Sequence, residues 1–253
     1  MARLLNWKRG IELEENLEGW EAFHGKAIAS KDYRMDWERE REHAYLKEVL
    51  KWSEGKHRLF EWCCGRGGDA LVVNHFKPDA WMSVLDYSPV AIEFAKARFR
   101  KEGLIANAVC GNVYDLPFPD GAFDFSFSQS SFSNLEKPDL ALKELVRTLE
   151  KNGFLMLCAA NSMRPDGSWL YRHAIKLGYF QTEYSIAELR EFGVKHGLTP
   201  IGYFGYQNCY FLINQFLKKV GVKQEGRTKV LSKLNALPLP VGLKLFVGVV
   251  FRK

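Results

Sequence analysis

Short apolar runs alternate along this chain with stretches whose apolar residues recur at helical spacing. Residues Asp36 to Trp52 carry apolar side chains at Trp37, Ala44, Tyr45, Leu46, Val49 and Leu50, which predicts an amphipathic helix packed through that face. Arg58 to Cys64 is then a short apolar run that ends in Gly65–Arg66–Gly67–Gly68, with a helical stretch from Asp69 to about Phe76. Ala80 to Leu85 is a second run, closed by Asp86. Ser88–Pro89 supplies an N-cap with proline at the first helical position, so Val90 to Arg100 reads as a helix. Leu104–Cys110, Phe123–Ser128 and Gly153–Ala160 follow as strands, with a helix from Pro138 to Glu150. Tyr184–Ser185 precedes a helix from Ile186 to His196 that Gly197 closes at C′, and Leu198–Tyr206 and Lys244–Phe251 complete the strands.

Strands alternating with helices call for right-handed crossovers. The expected fold is α/β: a doubly wound, mostly parallel, seven-stranded Rossmann-like sheet. A helical cap over residues 1–52 precedes a domain over 53–253. Two segments break the repeat, at about 161–183 and 207–242. They read as insertions over the carboxyl edge of the sheet, where such folds bind ligands.

Composition narrows the class. At 253 residues, 47% hydrophobic and 26% charged, the chain has enough apolar material for a sizeable core, which excludes wholesale disorder. No run reaches 18 consecutive apolar residues, so no transmembrane helix is expected, and Met1–Gly10 lacks the apolar core of a signal peptide. The five cysteines (63, 64, 110, 158, 209) mostly sit in apolar runs and none has zinc-ligand spacing. They read as reduced, buried thiols of a cytoplasmic protein without a metal. The net charge of +6 is uneven. Residues 214–253 hold nine Lys/Arg against the single acid Glu225, leaving the rest at −2. A basic end on a near-neutral body points to an anionic partner, a peripheral membrane surface or a nucleic acid, or to a solvated face.

The chemistry-bearing signal is Leu59–Phe60–Glu61–Trp62–Cys63–Cys64–Gly65–Arg66–Gly67–Gly68–Asp69, a strand, a glycine turn and a helix start in succession. Glycines serve where backbone turns sharply or approaches a ligand closely. Asp86 ends the second strand, 19 residues after Gly67, where a carboxylate can take both hydroxyls of a ribose. Those two elements fit a nicotinamide dinucleotide and other adenosine cofactors alike.

A third element separates them. Gly111–Asn112 follows the third strand, and Asp115–Leu116–Pro117–Phe118–Pro119–Asp120–Gly121–Ala122–Phe123–Asp124 leads into the fourth. Here the sequence resembles the class I S-adenosylmethionine-dependent methyltransferases, in the branch with the ubiquinone- and menaquinone-biosynthesis enzymes. The resemblance runs from Glu61 to about Phe154, with Ile186 to Leu198 similar to the family's penultimate helix, and covers roughly half the chain. It implies that Glu61 holds the methionine amino group and that Cys63, Gly65 and Gly67 let the backbone pass the methionine and ribose. It further implies Asp86 on the ribose hydroxyls, Tyr87 beside the adenine, Asn112 and Val113 at its edge and face, and Ser128 with Gln129 near the sulfonium. Three positions depart from the family pattern. Cys63 replaces a glycine, Arg66 a small hydroxyl residue, and Asn112 the acid that usually meets the adenine amino group.

Methyl transfer from a sulfonium needs alignment and exclusion of water, and a general base only if the acceptor must first lose a proton. His24, Tyr33 and His173 are the candidate bases. Trp20, Phe23 and Tyr33 in the cap, and Trp169, Tyr171, Tyr179 and Phe180 in the first insertion, could wall a pocket for an apolar or aromatic small-molecule acceptor. The competing readings are an RNA methyltransferase that uses the basic end, a nicotinamide-dependent oxidoreductase, and a non-catalytic relative with a degraded pocket.

Overall fold

The computed structural model describes residues 43–163, 182–208 and 244–253, together with Glu21 and isolated positions between 217 and 241. Along these residues the elements run α1 (Ala44–Trp52), β1 (Arg58–Trp62), α2 (Gly68–Phe76), β2 (Trp81–Asp86), α3 (Pro89–Lys101), β3 (Ala106–Cys110), β4 (Phe123–Phe127), α4 (Pro138–Thr148), β5 (Leu149–Asn161), β6 (Glu183–Tyr184), α5 (Ile186–Lys195), β7 (Thr199–Asn208) and β8 (Lys244–Arg252). The sheet has eight strands, in the order β3-β2-β1-β4-β5-β8-β7, with the two-residue β6 beside β5. All pairs are parallel except those of β8, which runs antiparallel to both β5 and β7.

Strand order reverses between β1 and β4, so the carboxyl ends of β1, β2, β3 and β4 gather on one edge at the switch point. Successive residues of β1 enter opposite faces. Leu59 joins the core with Tyr45, Leu71, Phe125 and Phe127, while Phe60 and Trp62 join the core with Leu142, Leu145 and Phe251. Burial of both faces explains why the strands read as continuous apolar runs.

The expected caps are present. Ser88 Oγ accepts from the Ala91 N–H at 3.2 Å, with Pro89 opening α3. Ser185 and Glu188 form a reciprocal capping box on α5, and Gly197 (φ +80°) ends it, with the Leu198 N–H on the Gly193 carbonyl at 3.0 Å.

The Leu116-to-Asp124 segment is scaffolding. Phe118 and Phe123 pack on Phe60 at ring distances of 5.1 and 4.5 Å. Arg147 donates to the carbonyls of Leu116 and Phe118 and pairs with Glu144 and Asp120. Asp124 accepts from the N–H groups of His57 and Arg58 at 2.8 and 2.9 Å, fixing the start of β1.

Several expectations need correction. The expected seven strands form the path of the sheet, and an eighth, unforeseen, lies off it where Glu183–Tyr184 pairs with Ala160–Asn161 at the end of β5. The helix expected to reach Glu150 stops at Thr148, and β5 begins at Leu149 through an irregular register with β4. Cys110 is exposed rather than buried, since β3 is an edge strand, whereas Cys64 and Cys158 are buried as expected. The basic end is partly engaged: Lys253 Nζ donates to the Val146 and Leu149 carbonyls at 2.8 and 2.7 Å, capping the end of α4. No helix among the described residues is long and apolar enough to cross a membrane.

Candidate functional site

The glycine turn after β1 is a run of left-handed backbone. Cys63, Gly65 and Gly67 have φ of 50°, 52° and 65°. The Cys64 N–H binds the Leu85 carbonyl and the Gly67 N–H binds the Cys64 carbonyl, both at 2.9 Å, so the turn is tied to the end of β2. Cys63 is the strained member, because a β-carbon in this region costs about 1–2 kcal/mol.

Gly67 owes its size to helix packing. A Cβ there would stand 3.1 Å from Ala95 Cβ and 3.3 Å from Phe99, both on α3. Its bare side therefore faces that helix, a second reason for glycine beside its left-handed φ. Arg66 lies on the same flank: Arg98 of α3 donates to its carbonyl at 3.2 Å, and burial, then repulsion from Arg98, lowers the Arg66 pKa.

Asp86 bridges the turn and the next helix. Its Oδ2 accepts from the Gly65 N–H at 2.7 Å and its Oδ1 from the Ser88 N–H at 3.0 Å. Each carboxylate oxygen has two lone pairs, so these bonds orient the group and leave it able to accept from a pair of hydroxyls. Tyr87, next along, is exposed.

Glu61 lies deeper, 3% exposed, with Oε2 accepting from the Ala70 N–H at 2.9 Å in the first turn of α2. Burial, and next the charge of Asp69, push its carboxyl well above the ordinary value. Glu61, Asp69 and Asp86 thus make one end of the turn a region that favours a cation.

On the far side of β2, Asn112 and Val113 follow β3. Val113 is buried among Leu85 and Leu116. The Asn112 Oδ1 already accepts from the Tyr114 N–H at 2.9 Å, so its side chain closes its own turn and its amide nitrogen is the donor left over. Past β4, Ser128 is fully buried and donates to Ser131 Oγ at 2.6 Å. Ser131 in turn reaches the Cys63 carbonyl at 3.4 Å. Gln129 beside it is exposed.

The structure therefore brings Glu61, Cys63, Gly65, Asp86 and the Ser128–Ser131 turn into one connected edge, with Asn112 and Val113 at the end of the neighbouring strand. The candidate bases His24, Tyr33 and His173 lie outside the described residues. So do Trp20, Phe23, Trp37, the aromatics of 169–180 and most of the segment 207–242.

Three groups escaped sequence reasoning. Ser130 holds a left-handed φ of 59° and its hydroxyl meets the Tyr206 hydroxyl at 2.5 Å. Tyr206 comes from β7, 76 residues away, so no local pattern could announce the pair. Tyr45, expected to be packing, carries a fully buried hydroxyl into this neighbourhood.

Residues 61–157 match the family described as a methyltransferase domain. A demethylmenaquinone methyltransferase of Thermus thermophilus is 31% identical over 100 residues, 40% of this chain and 46% of that protein. A fatty-acid O-methyltransferase of Mycolicibacterium smegmatis is 32% identical over 117 residues, 46% of this chain and 41% of that protein. The chain spans less than half the length of either relative. Among solved structures, a geranyl diphosphate C-methyltransferase from Streptomyces coelicolor, in complex with Mg2+, geranyl diphosphate and S-adenosyl-L-homocysteine, has a TM-score of 0.61. It is 15% identical, covers 83% of this chain and 78% of its own, and supports the fold. The glycine turn, the doubly held Asp86 and the buried Glu61 thus all lie within the segment, residues 61–157, that matches the methyltransferase-domain family.

Proposed function

We propose that this protein transfers a methyl group from S-adenosylmethionine to a small-molecule acceptor with an apolar body, by in-line displacement. The observation that carries the proposal is Asp86. Its carboxylate is oriented by one N–H from the glycine turn and one from the start of α3, at the switch point of a matched methyltransferase segment. When bound, the cofactor supplies a methyl on a cationic sulfur. The residues present fit such a group. Asp86 would accept from the ribose hydroxyls, Glu61 and Asp69 would face its ammonium, and Val113 would meet the adenine with an apolar surface.

Asn112 would meet the base edge through an amide donor, which suits a ring nitrogen of adenine better than its amino group. Ser128 and Gln129, on the turn that Ser131 ties to the Cys63 carbonyl, would lie near the sulfonium. Their part is positioning: holding acceptor and methyl in line and limiting access of water. The relatives named for quinone and fatty-acid substrates support an apolar acceptor.

The test is isothermal titration of S-adenosylmethionine, S-adenosylhomocysteine and NAD into the wild-type protein and the Asp86→Ala variant. Micromolar binding of the first two, lost in the variant, is expected. Labelled-methyl transfer to a long-chain fatty acid and to a demethylated naphthoquinol then reports the acceptor class. Binding of NAD with none of the sulfur nucleosides would overturn the proposal.

A further inference from the structure

Helix α1 stands ahead of the matched segment and packs against α2 and β7. Tyr45 lies on its buried face with no exposed surface, its ring 5.3 Å from that of Tyr206, which stacks on Phe246 at 5.1 Å. Packing alone explains the ring. It does not explain the oxygen, which is buried and has no hydrogen-bond partner among the described residues. An unsatisfied buried hydroxyl is destabilising, and phenylalanine would fill the same space without it.

Helix α1 packs on α2, whose first turn carries Asp69 and donates the Ala70 N–H to Glu61. After burial, the charges of Cys158, Asp69, Tyr206 and Glu61 act on the phenol, and the two acids among them flank the glycine turn in a region that favours a cation. Burial keeps the phenol protonated, so its oxygen retains lone pairs to accept and a proton to donate. An ammonium brings three N–H donors. Glu61 already spends one oxygen on the Ala70 N–H, and a third acceptor completes the set.

We propose that Tyr45 is part of the cofactor site, its phenol oxygen accepting a hydrogen bond from the ammonium of the bound cofactor's amino-acid end, beside Glu61 and Asp69. The assignment rests on the methyltransferase reading and extends the site to a helix outside the matched residues 61–157. The hydroxyl that has no partner among the described residues then gains one in the bound state.

The experiment compares two nucleosides on wild-type protein and Tyr45→Phe. S-Adenosylhomocysteine carries the amino-acid end, and 5′-methylthioadenosine lacks it. Tyr45→Phe is expected to weaken S-adenosylhomocysteine about ten-fold, the scale of one hydrogen bond to a charged group. Affinity for 5′-methylthioadenosine should stay unchanged, and the melting temperature of the ligand-free protein should be equal or higher. Equal weakening of both nucleosides, or of neither, overturns the assignment, because a purely structural tyrosine does not distinguish them. Wild-type protein that binds neither nucleoside removes the methyltransferase reading and this assignment with it. Wild-type binding that Tyr45→Phe leaves untouched removes only the assignment.

Discussion

Gly193 sits inside α5, where alanine ordinarily stabilises a helix by about 1 kcal/mol. Here the opposite is expected. A Cβ at Gly193 would lie 2.1 Å from Phe251 Cε1 and 2.5 Å from its Cζ, against a comfortable carbon separation of about 3.5–4.0 Å. Phe251 cannot step aside, being fully buried in β8 and paired to Leu155 on one side and Pro200 on the other. Overpacking of this kind costs about 1–3 kcal/mol, and the close approach puts Gly193→Ala at the upper end. Subtracting the propensity gain leaves about 2 kcal/mol of net destabilisation, a fall in melting temperature of roughly 4–8 °C for a chain of this size. Thermal melts followed by circular dichroism, with urea titration alongside, give the number. Phe251→Leu, which makes room, should cost stability alone yet recover part of the loss in the double variant, with a coupling of about 1 kcal/mol or more. Nucleoside affinity should not change, since Gly193 packs on β8 and not on the ends of β1 to β4. A Gly193→Ala protein that melts at or above the wild-type temperature would refute the account, because α5 could then lift from the sheet at no cost.

Two further outcomes follow from buried groups. The Glu61 carboxyl is raised in the folded protein, by burial first and Asp69 second, so the folded state binds the extra proton and Glu61 lowers stability increasingly as pH rises above the unfolded carboxylate value of about 4.3. Ligand-free Glu61→Gln should therefore gain stability over wild type from pH 5 to pH 8 in parallel urea titrations, while binding S-adenosylmethionine more weakly; a difference that shrinks as pH rises would contradict the sign. Arg147→Met strips the Leu116 and Phe118 carbonyls of a donor and breaks pairs with Glu144 and Asp120. Discounted for the solvent at this part-exposed site, the loss should be roughly 1–3 kcal/mol, read as a lower urea midpoint, and an unchanged midpoint would show the segment holds itself.

Which features could be read from the residues follows from the range over which each force acts. Local rules were enough for seven of the eight strands, for the Ser88–Pro89 start of α3, for the Gly197 stop of α5 and for the order of the glycine turn and Asp86, because periodicity, capping and backbone sterics act within a few residues. The same rules carried the family resemblance, since Glu61 to Asp124 is nearly contiguous. What only the tertiary structure decided came from groups far apart in the chain. Gly67 is small because α3 crosses it, Cys110 is exposed because β3 lies at an edge, and β6 exists because Glu183 meets Ala160. The Ser130–Tyr206 contact and the company of the Tyr45 hydroxyl are of the same kind. A helical stripe tells which face of α1 is buried, but only the packed sheet decides whether a buried oxygen finds a partner.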